Sequence, residues 1–165
     1  MNWLKQEQDS RRIFIDTLIE LANSDPTVGL VICDVGFNYA ESFEKRFPKR
    51  FWNLGTTEFS SMAEVAGMAI EGMKIYIYSM RNFMLLRPLE PLRNCVIKHK
   101  ANVKIIGVSG SEKFKFLGFS HNLDYENQDV DLCNIIGLKS YTPKLEEVRE
   151  TILEMYNSKE PAYCR

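Results

Sequence analysis

An α/β fold, with a three-layer arrangement of a parallel sheet covered by helices on both faces, is what this sequence predicts, and two observations carry the expectation. Strand-like and helix-like segments alternate along the whole chain, the order that builds a parallel sheet through crossover helices. Gly29-Leu-Val-Ile-Cys-Asp34 and Val103-Lys-Ile-Ile-Gly-Val108 are short runs rich in β-branched residues, as strands buried on both faces are. With 165 residues, 45% of them hydrophobic and 12% aromatic, the chain suits one domain spanning 1–165. A domain of that size buries about two-thirds of the surface its unfolded form exposes, which excludes disorder as the main state.

Each element has its own signal. Phe14, Leu18 and Leu21, flanked by Ile15, Ile19 and Ala22, recur at helical spacing from Ser10, and Asn23-Ser-Asp-Pro26 ends that helix. The Gly29–Asp34 strand closes at Asp34-Val-Gly36, and a second helix is expected over about Tyr39 to Arg46. Arg50-Phe-Trp-Asn-Leu54 reads as extended and leads into Gly55-Thr-Thr-Glu58. Met62, Val65, Ala66 and Ala69 then mark a helix that Gly72 terminates. Lys74-Ile-Tyr-Ile-Tyr78 alternates like a strand, a loop is expected next, and Leu92 to His99 has helical spacing after Pro88 and Pro91. Beyond the Val103–Val108 strand, Ser109 to Asp124 reads as a long irregular stretch of the kind that serves function. Gln128 to Asn134 is expected as helix and Lys139-Ser-Tyr141 as strand. Leu145, Val148, Ile152 and Met155 line one face of a last helix before a final strand, Ala162-Tyr-Cys164.

Composition excludes several functions. The 21 Lys and Arg against 22 Asp and Glu leave a net charge of −1, so no global field draws the chain onto nucleic acid or an acidic membrane. Cys33, Cys95, Cys133 and Cys164 form no Cys-x-x-Cys pair and are expected as reduced packing residues. The N-terminus from Met1 to Asp9 carries acid and amide where a signal peptide needs an apolar stretch, and no apolar run approaches the ~20 residues of a membrane span. A soluble, cytoplasmic protein is the expectation. The sequence contains no GxGxxG, GxxxxGK[ST], HExxH or GxSxG, and two histidines alone exclude a multi-histidine metal centre.

His99 lies between Lys98 and Lys100, where a cation at a helix end meets the last carbonyls. His121, in Gly118-Phe-Ser-His-Asn122, answers no capping or packing need and is a candidate functional residue. Glu58 opens a helix. First-turn electrostatics, worth about 0.3–1 kcal/mol, explains it without function, and Ser61-x-x-Glu64 offers a capping box in the same segment. Lys45-Arg46 with Lys49-Arg50, Lys98 to Lys104, and Lys113 with Lys115 are basic clusters expected as solvated surface.

Taken in order, Arg12-Ile-Phe, Leu18-Ile-Glu-Leu-Ala22, Asp25-Pro26, Phe43, Arg46-Phe-Pro-Lys-Arg-Phe51, Asn53-Leu-Gly-Thr-Thr-Glu58, Ala66-Gly-Met-Ala69 and Gly72 resemble the pyrimidine-binding domain of transketolase-type thiamin diphosphate enzymes. Phe83-x-x-x-Arg87, Arg93, Asn102-Val-Lys-Ile105, Ser120-His121 and Pro161-Ala-Tyr-Cys-Arg165 extend the likeness over nearly the whole chain, in particular to the small subunit of transketolases split between two genes. The resemblance implies a thiamin diphosphate whose own aminopyrimidine serves as the internal base for the thiazolium C2 proton. Glu58 holds the position of the glutamic acid that binds ring nitrogen N1′ and shifts the exocyclic amine toward its imino form. Burial raises the pKa of such a carboxyl and a helix N-terminus lowers it, so the role requires desolvation to dominate. Phe83 matches the aromatic packed on the pyrimidine, worth about 0.5–1.5 kcal/mol in stacking. Arg87 matches a family arginine that orients that wall or a neighbouring subunit, with a plain surface ion pair as the alternative. His121 matches the histidine facing the thiazolium and the substrate oxygens.

The chain departs from the family at Ser111-Glu-Lys-Phe-Lys-Phe-Leu-Gly-Phe119, basic and aromatic where many relatives carry Gly-Glu-Asp-Gly, which implies an altered substrate pocket. It also lacks the Gly-Asp-Gly and following Asn that hold magnesium and the diphosphate. The resemblance therefore implies no metal ligand here, and a companion subunit that supplies the diphosphate and magnesium site. A homodimer core or an α2β2 heterotetramer would close the site, and the substrate would be a sugar or sugar phosphate passing a two-carbon ketol unit. The alternatives are a subunit of a split thiamin-dependent decarboxylase or 2-ketoacid dehydrogenase, and a non-catalytic interaction module.

Overall fold

The computed structural model describes residues 9–108 and 112–165, with side chains in the second stretch from Phe116 onward. The N-terminal reading of Met1 to Gln8 and the side chains of the basic pair Lys113 and Lys115 lie outside what is described. Six strands form a single parallel sheet: β1 (Val28–Ile32), β2 (Phe51–Asn53), β3 (Lys74–Met80), β4 (Val103–Val108), β5 (Lys139–Tyr141) and β6 (Ala162–Cys164), in the spatial order β2-β1-β3-β4-β6-β5. β1 lies second from one edge, paired with β2 through Leu30 opposite Phe51 and with β3 through Leu30 opposite Tyr76.

Helices cover both faces, as the fold class requires. On one side α1 (Ser10–Ser24), α2 (Glu41–Arg46) and α7 (Val148–Asn157) bury Phe14, Leu18, Phe43, Ile152 and Met155 against Leu30, Tyr76, Tyr78 and Ile106. On the other, α3 (Glu58–Ile70), α4 (Arg81–Leu85), a helical segment from Leu89 to Ile97 and α6 (Gln128–Ile136) pack Met62, Val65, Met84, Val96 and Cys133 on Val31, Ile75, Ile77 and Ile105. Successive strand residues face opposite sides, so β3 sends Tyr76 and Tyr78 into one layer and Ile75 and Ile77 into the other. Being covered twice, β1, β3 and β4 need apolar residues at nearly every position.

Several expectations are corrected. The region after Tyr78 is not all loop: β3 runs to Met80 and passes directly into α4. The Leu92–His99 helix is α-helical over Leu89–Pro91 (α5) and π-helical over Leu92–Ile97. Pro91 supplies no backbone donor and shifts the hydrogen-bonding frame of the turns after it. Within Ser109–Asp124, residues Glu112–Ser120 form 3-10 turns broken by a kink at Gly118, whose φ is 70°. Ser61 lies inside α3 rather than capping it, and the N-cap residue Thr57 makes no side-chain cap bond.

Two of the basic residues expected at the surface are structural. Lys104, 1% exposed on β4, donates to the carbonyls of Ser158 and Glu160 at 2.9 and 2.5 Å. Burial pulls its ammonium down to about 8. Arg50 donates to the carbonyls of Ala22, Asp25 and Val28 and so closes the C-terminal end of α1 onto β1. All four cysteines are free thiols; Cys33, Cys133 and Cys164 are buried, and desolvation pushes each up to about 12. No helix of the described residues is long and apolar enough to cross a membrane.

Candidate active site

The loops leaving the C-terminal ends of β2, β3 and β4 converge on one open cleft of about 740 Å³, lined by Thr56, Thr57, Glu58, Phe59, Ser60, Phe83, Arg87 and His121. In parallel sheets such a crevice, beside the strand from which successive connections leave in opposite directions, is the usual ligand position. Here β1 is that strand, because β2 lies on one side of it and β3 and β4 on the other.

Glu58 reaches the cleft through a tightly specified turn. Asn53 at the end of β2 accepts from the backbone N–H groups of Asp34 and Gly55 through Oδ1, at 3.1 and 3.0 Å. Gly55 then adopts φ 72°, which a side chain would strain. Thr57 Oγ1 donates to the carbonyl of Leu54 at 2.7 Å and lies 3.1 Å from Ser61 Oγ, so the chain enters α3 at a set angle. Its first residue, Glu58, is 1% exposed, and the helix N-terminus behind it favours negative charge. Ser79, near the end of β3, donates to Glu58 Oε1 at 3.4 Å, and Arg87 Nη1 donates to Oε2 at 2.8 Å.

Phe83 on α4 forms the wall opposite. The Arg87 guanidinium carbon lies 3.6 Å from the Phe83 ring centroid, so one arginine both covers the aromatic face and pairs with the buried acid. His121 meets the Phe83 ring edge-on, with centroids 4.9 Å apart and planes at 70°. The imidazole is oriented by Ser120, whose Oγ lies 2.8 Å from Nδ1. Asn82, buried beside Phe83, donates its side-chain amide to the Ser120 carbonyl and so ties α4 to the histidine loop. All four residues singled out in the sequence, Glu58, Phe83, Arg87 and His121, line this one cleft, although they lie up to 63 positions apart. Arg87 is not a plain surface ion pair, since its partner is buried.

Sequence reasoning assigned no part to Ser79, Asn82 or Asp129. Ser79 and Asn82 are polar residues at the end of an apolar strand and the start of the next helix, and that break in pattern was the available signal. Asp129 is 1% exposed and accepts from Arg165 at 2.8 Å, Tyr163 at 2.7 Å and Arg81 at 3.5 Å, joining α6, β6 and the start of α4. Nothing in its local sequence marks it, because its partners come from distant positions. Among the described residues, no group of three or more His, Cys, Asp or Glu side chains is placed to hold a metal ion.

The residues present suit an aminopyrimidine ring. The subsite has a buried carboxyl for a ring nitrogen, a flat aromatic wall, and a planar nitrogen-bearing group, the guanidinium, already lying between them.

No protein-family model matches the chain. It is 29% identical over 158 residues to one of the subunits of the apulose-4-phosphate transketolase of Phocaeicola vulgatus, covering 94% of this chain and 50% of that protein. It is 32% identical over 150 residues to a putative transketolase C-terminal section of Methanocaldococcus jannaschii, covering 90% and 44%. The chain thus spans about half the length of the curated relatives it matches. Among solved structures, a split-gene transketolase described as an inactive β4 tetramer superimposes with a TM-score of 0.80 at 25% identity, over 94% of this chain and 50% of that one. By sequence along nearly all its length and by fold, the chain resembles the pyrimidine-binding domain of transketolase-type thiamin diphosphate enzymes, in the form it takes in split transketolases.

Proposed function

We propose that this chain is the pyrimidine-domain subunit of a two-component, thiamin diphosphate-dependent transketolase that moves a two-carbon ketol unit between sugars or sugar phosphates. The observation that carries the reading is Glu58: a buried carboxyl at the foot of an open cleft, facing an aromatic wall, in a chain whose relatives are transketolase subunits and sections. When bound, thiamin diphosphate supplies a nucleophilic thiazolium carbon, and magnesium anchors its diphosphate. Glu58 would hold the ring nitrogen N1′ and pass a proton to or from it at its carboxyl, which is buried at 1% exposure. Phe83 holds the ring flat and fixes its distance from that carboxyl. His121 lines the cleft with Nδ1 engaged by Ser120, which leaves Nε2 to donate to or accept from substrate oxygens.

This chain carries no Gly-Asp-Gly for the diphosphate and magnesium, so a companion subunit provides them and the reaction centre forms between the two. One domain, 1–165, then makes one side of each site, and two copies of each chain give a closed assembly.

Mixing this chain with a co-encoded protein carrying Gly-Asp-Gly, with magnesium and thiamin diphosphate, tests the proposal through ketol transfer from a ketose phosphate. Transfer is expected only with both chains present, and Glu58→Ala is expected to reduce it by at least ~10²-fold. Full turnover by that variant overturns the role of Glu58. Companion activity that is unchanged when this chain is omitted replaces the enzyme-subunit reading with that of a non-catalytic module. Release of CO2 from a 2-ketoacid without ketol transfer points instead to the decarboxylase branch.

A further inference from the structure

We propose that Arg87 is a built-in occupant of the pyrimidine subsite, a side chain that must swing out before the coenzyme ring can seat. The inference rests on the cofactor reading above and adds a regulatory element to that site. The guanidinium makes both contacts which that reading assigns to the ring: its carbon lies 3.6 Å from the Phe83 centroid, and Nη1 donates to Glu58 Oε2 at 2.8 Å. Guanidinium and aminopyrimidine are both flat, of similar thickness and rich in nitrogen, so one Phe83 face cannot serve both. Their chemistry differs at one point. An arginine only donates hydrogen bonds, whereas a pyrimidine ring nitrogen also accepts; proton exchange with Glu58 is possible only after the arginine has gone.

The surroundings explain why the arginine is there and how it leaves. Glu58 is 1% exposed, and its other contact, from Ser79, is long at 3.4 Å. Without Arg87 the empty subsite would hold a buried carboxyl poorly compensated. The Arg87 side chain is 43% exposed, on the turn between α4 and Pro88, so rotation about its own bonds carries it into solvent with no change of backbone. A side chain that occupies the subsite nine times in ten lowers the apparent affinity for the ring about tenfold, in proportion to the open fraction.

Titration of the full chain with thiamin, followed by NMR, tests this without turnover. Arg87→Ala is expected to bind thiamin about tenfold tighter than the unaltered chain. Arg87→Lys falls between them, because an ammonium pairs with Glu58 but has no flat face for Phe83. In the unaltered chain the Arg87 Nε–Hε resonance should move to the position of free arginine as thiamin saturates. Equal or weaker binding by Arg87→Ala, with thiamin still bound by the unaltered chain, overturns the inference and leaves the cofactor reading standing. If thiamin binds none of the proteins up to its solubility, this chain alone forms no pyrimidine subsite for Arg87 to occupy and the inference falls, while the cofactor reading is decided separately by the two-chain ketol-transfer assay. Should Arg87→Ala fail to fold, Arg87→Lys and the arginine resonance decide the matter, and an unmoved resonance at saturation is the overturning result.

Discussion

Glu58 and Arg87 form a pair with one end buried and the other in water, and that asymmetry sets what each substitution does. Arg87→Met leaves the buried carboxyl with only its long contact to Ser79, and the expected loss of stability is about 1–3 kcal/mol by urea unfolding. Lys104 carries the opposite burden, since it is buried with a charge that has backbone carbonyls rather than a carboxylate as partners. Its folded-state pKa, about 8, lies below the 10.5 of an unperturbed lysine. Between those values the unfolded chain holds a proton that the folded chain has released, so this residue's contribution to stability rises with pH from about 8 to 10.5. The three buried thiols act in the other direction. Their pKa values are raised from 9.0 to about 12, so they add stability below pH 9 that is lost as pH climbs toward 12. Subtracting the unfolding free energy of Lys104→Met from that of the unaltered chain cancels the thiol contribution. The difference is expected to grow between about pH 8 and about pH 10, and a flat difference would mean that burial does not lower the pKa of Lys104.

At the scale of elements, the junction of β4, β6 and α6 is closely fitted. Gly107 on β4 lies where any Cβ would come 2.5 Å from the Tyr163 hydroxyl. That hydroxyl cannot yield cheaply, being bonded to Asp129 at 2.7 Å, while Asp129 is also held by Arg165. Gly107→Ala is therefore expected to cost about 1–3 kcal/mol by chemical denaturation, from overpacking rather than from backbone strain. Asp129→Ala leaves the buried Tyr163 hydroxyl without its partner and Arg165 held only by the Glu126 carbonyl and Asn127, and is expected to cost about 1–3 kcal/mol. It also frees the segment that leads from His121 into α6, so the Phe83 and His121 ring resonances should shift although neither residue was changed. Elements with strong periodicity, such as α1, α3, β1 and β4, were legible from sequence. α4 was not: five residues without a capping side chain leave no periodic trace, and it is the packing of Met84 and Leu85 under the sheet that stabilises it.

For the whole molecule, the governing facts are a parallel sheet with its cleft at one end and a chain that spans about half the length of its relatives. Phe119 is 90% exposed and two residues along the chain from His121, so it is available to the proposed companion. Phe119→Ser is expected to change the stability of the isolated chain by less than about 0.5 kcal/mol and to weaken association with the companion in sedimentation, whereas an unaltered association constant would place that contact elsewhere. Local patterning was enough to announce strands covered twice, helices on two layers and a glutamate entering a helix after Gly-Thr-Thr, because burial imposes periods that short segments display by themselves. The neighbours of Glu58 were beyond its reach. That Arg87 lies across Phe83 onto the acid, that Lys104 and Arg50 serve carbonyls inside rather than water outside, and that Asp129 gathers two arginines all depend on residues brought together from separate loops and strands. Electrostatic and hydrogen-bond partners are chosen by distance in space, which only the folded chain defines.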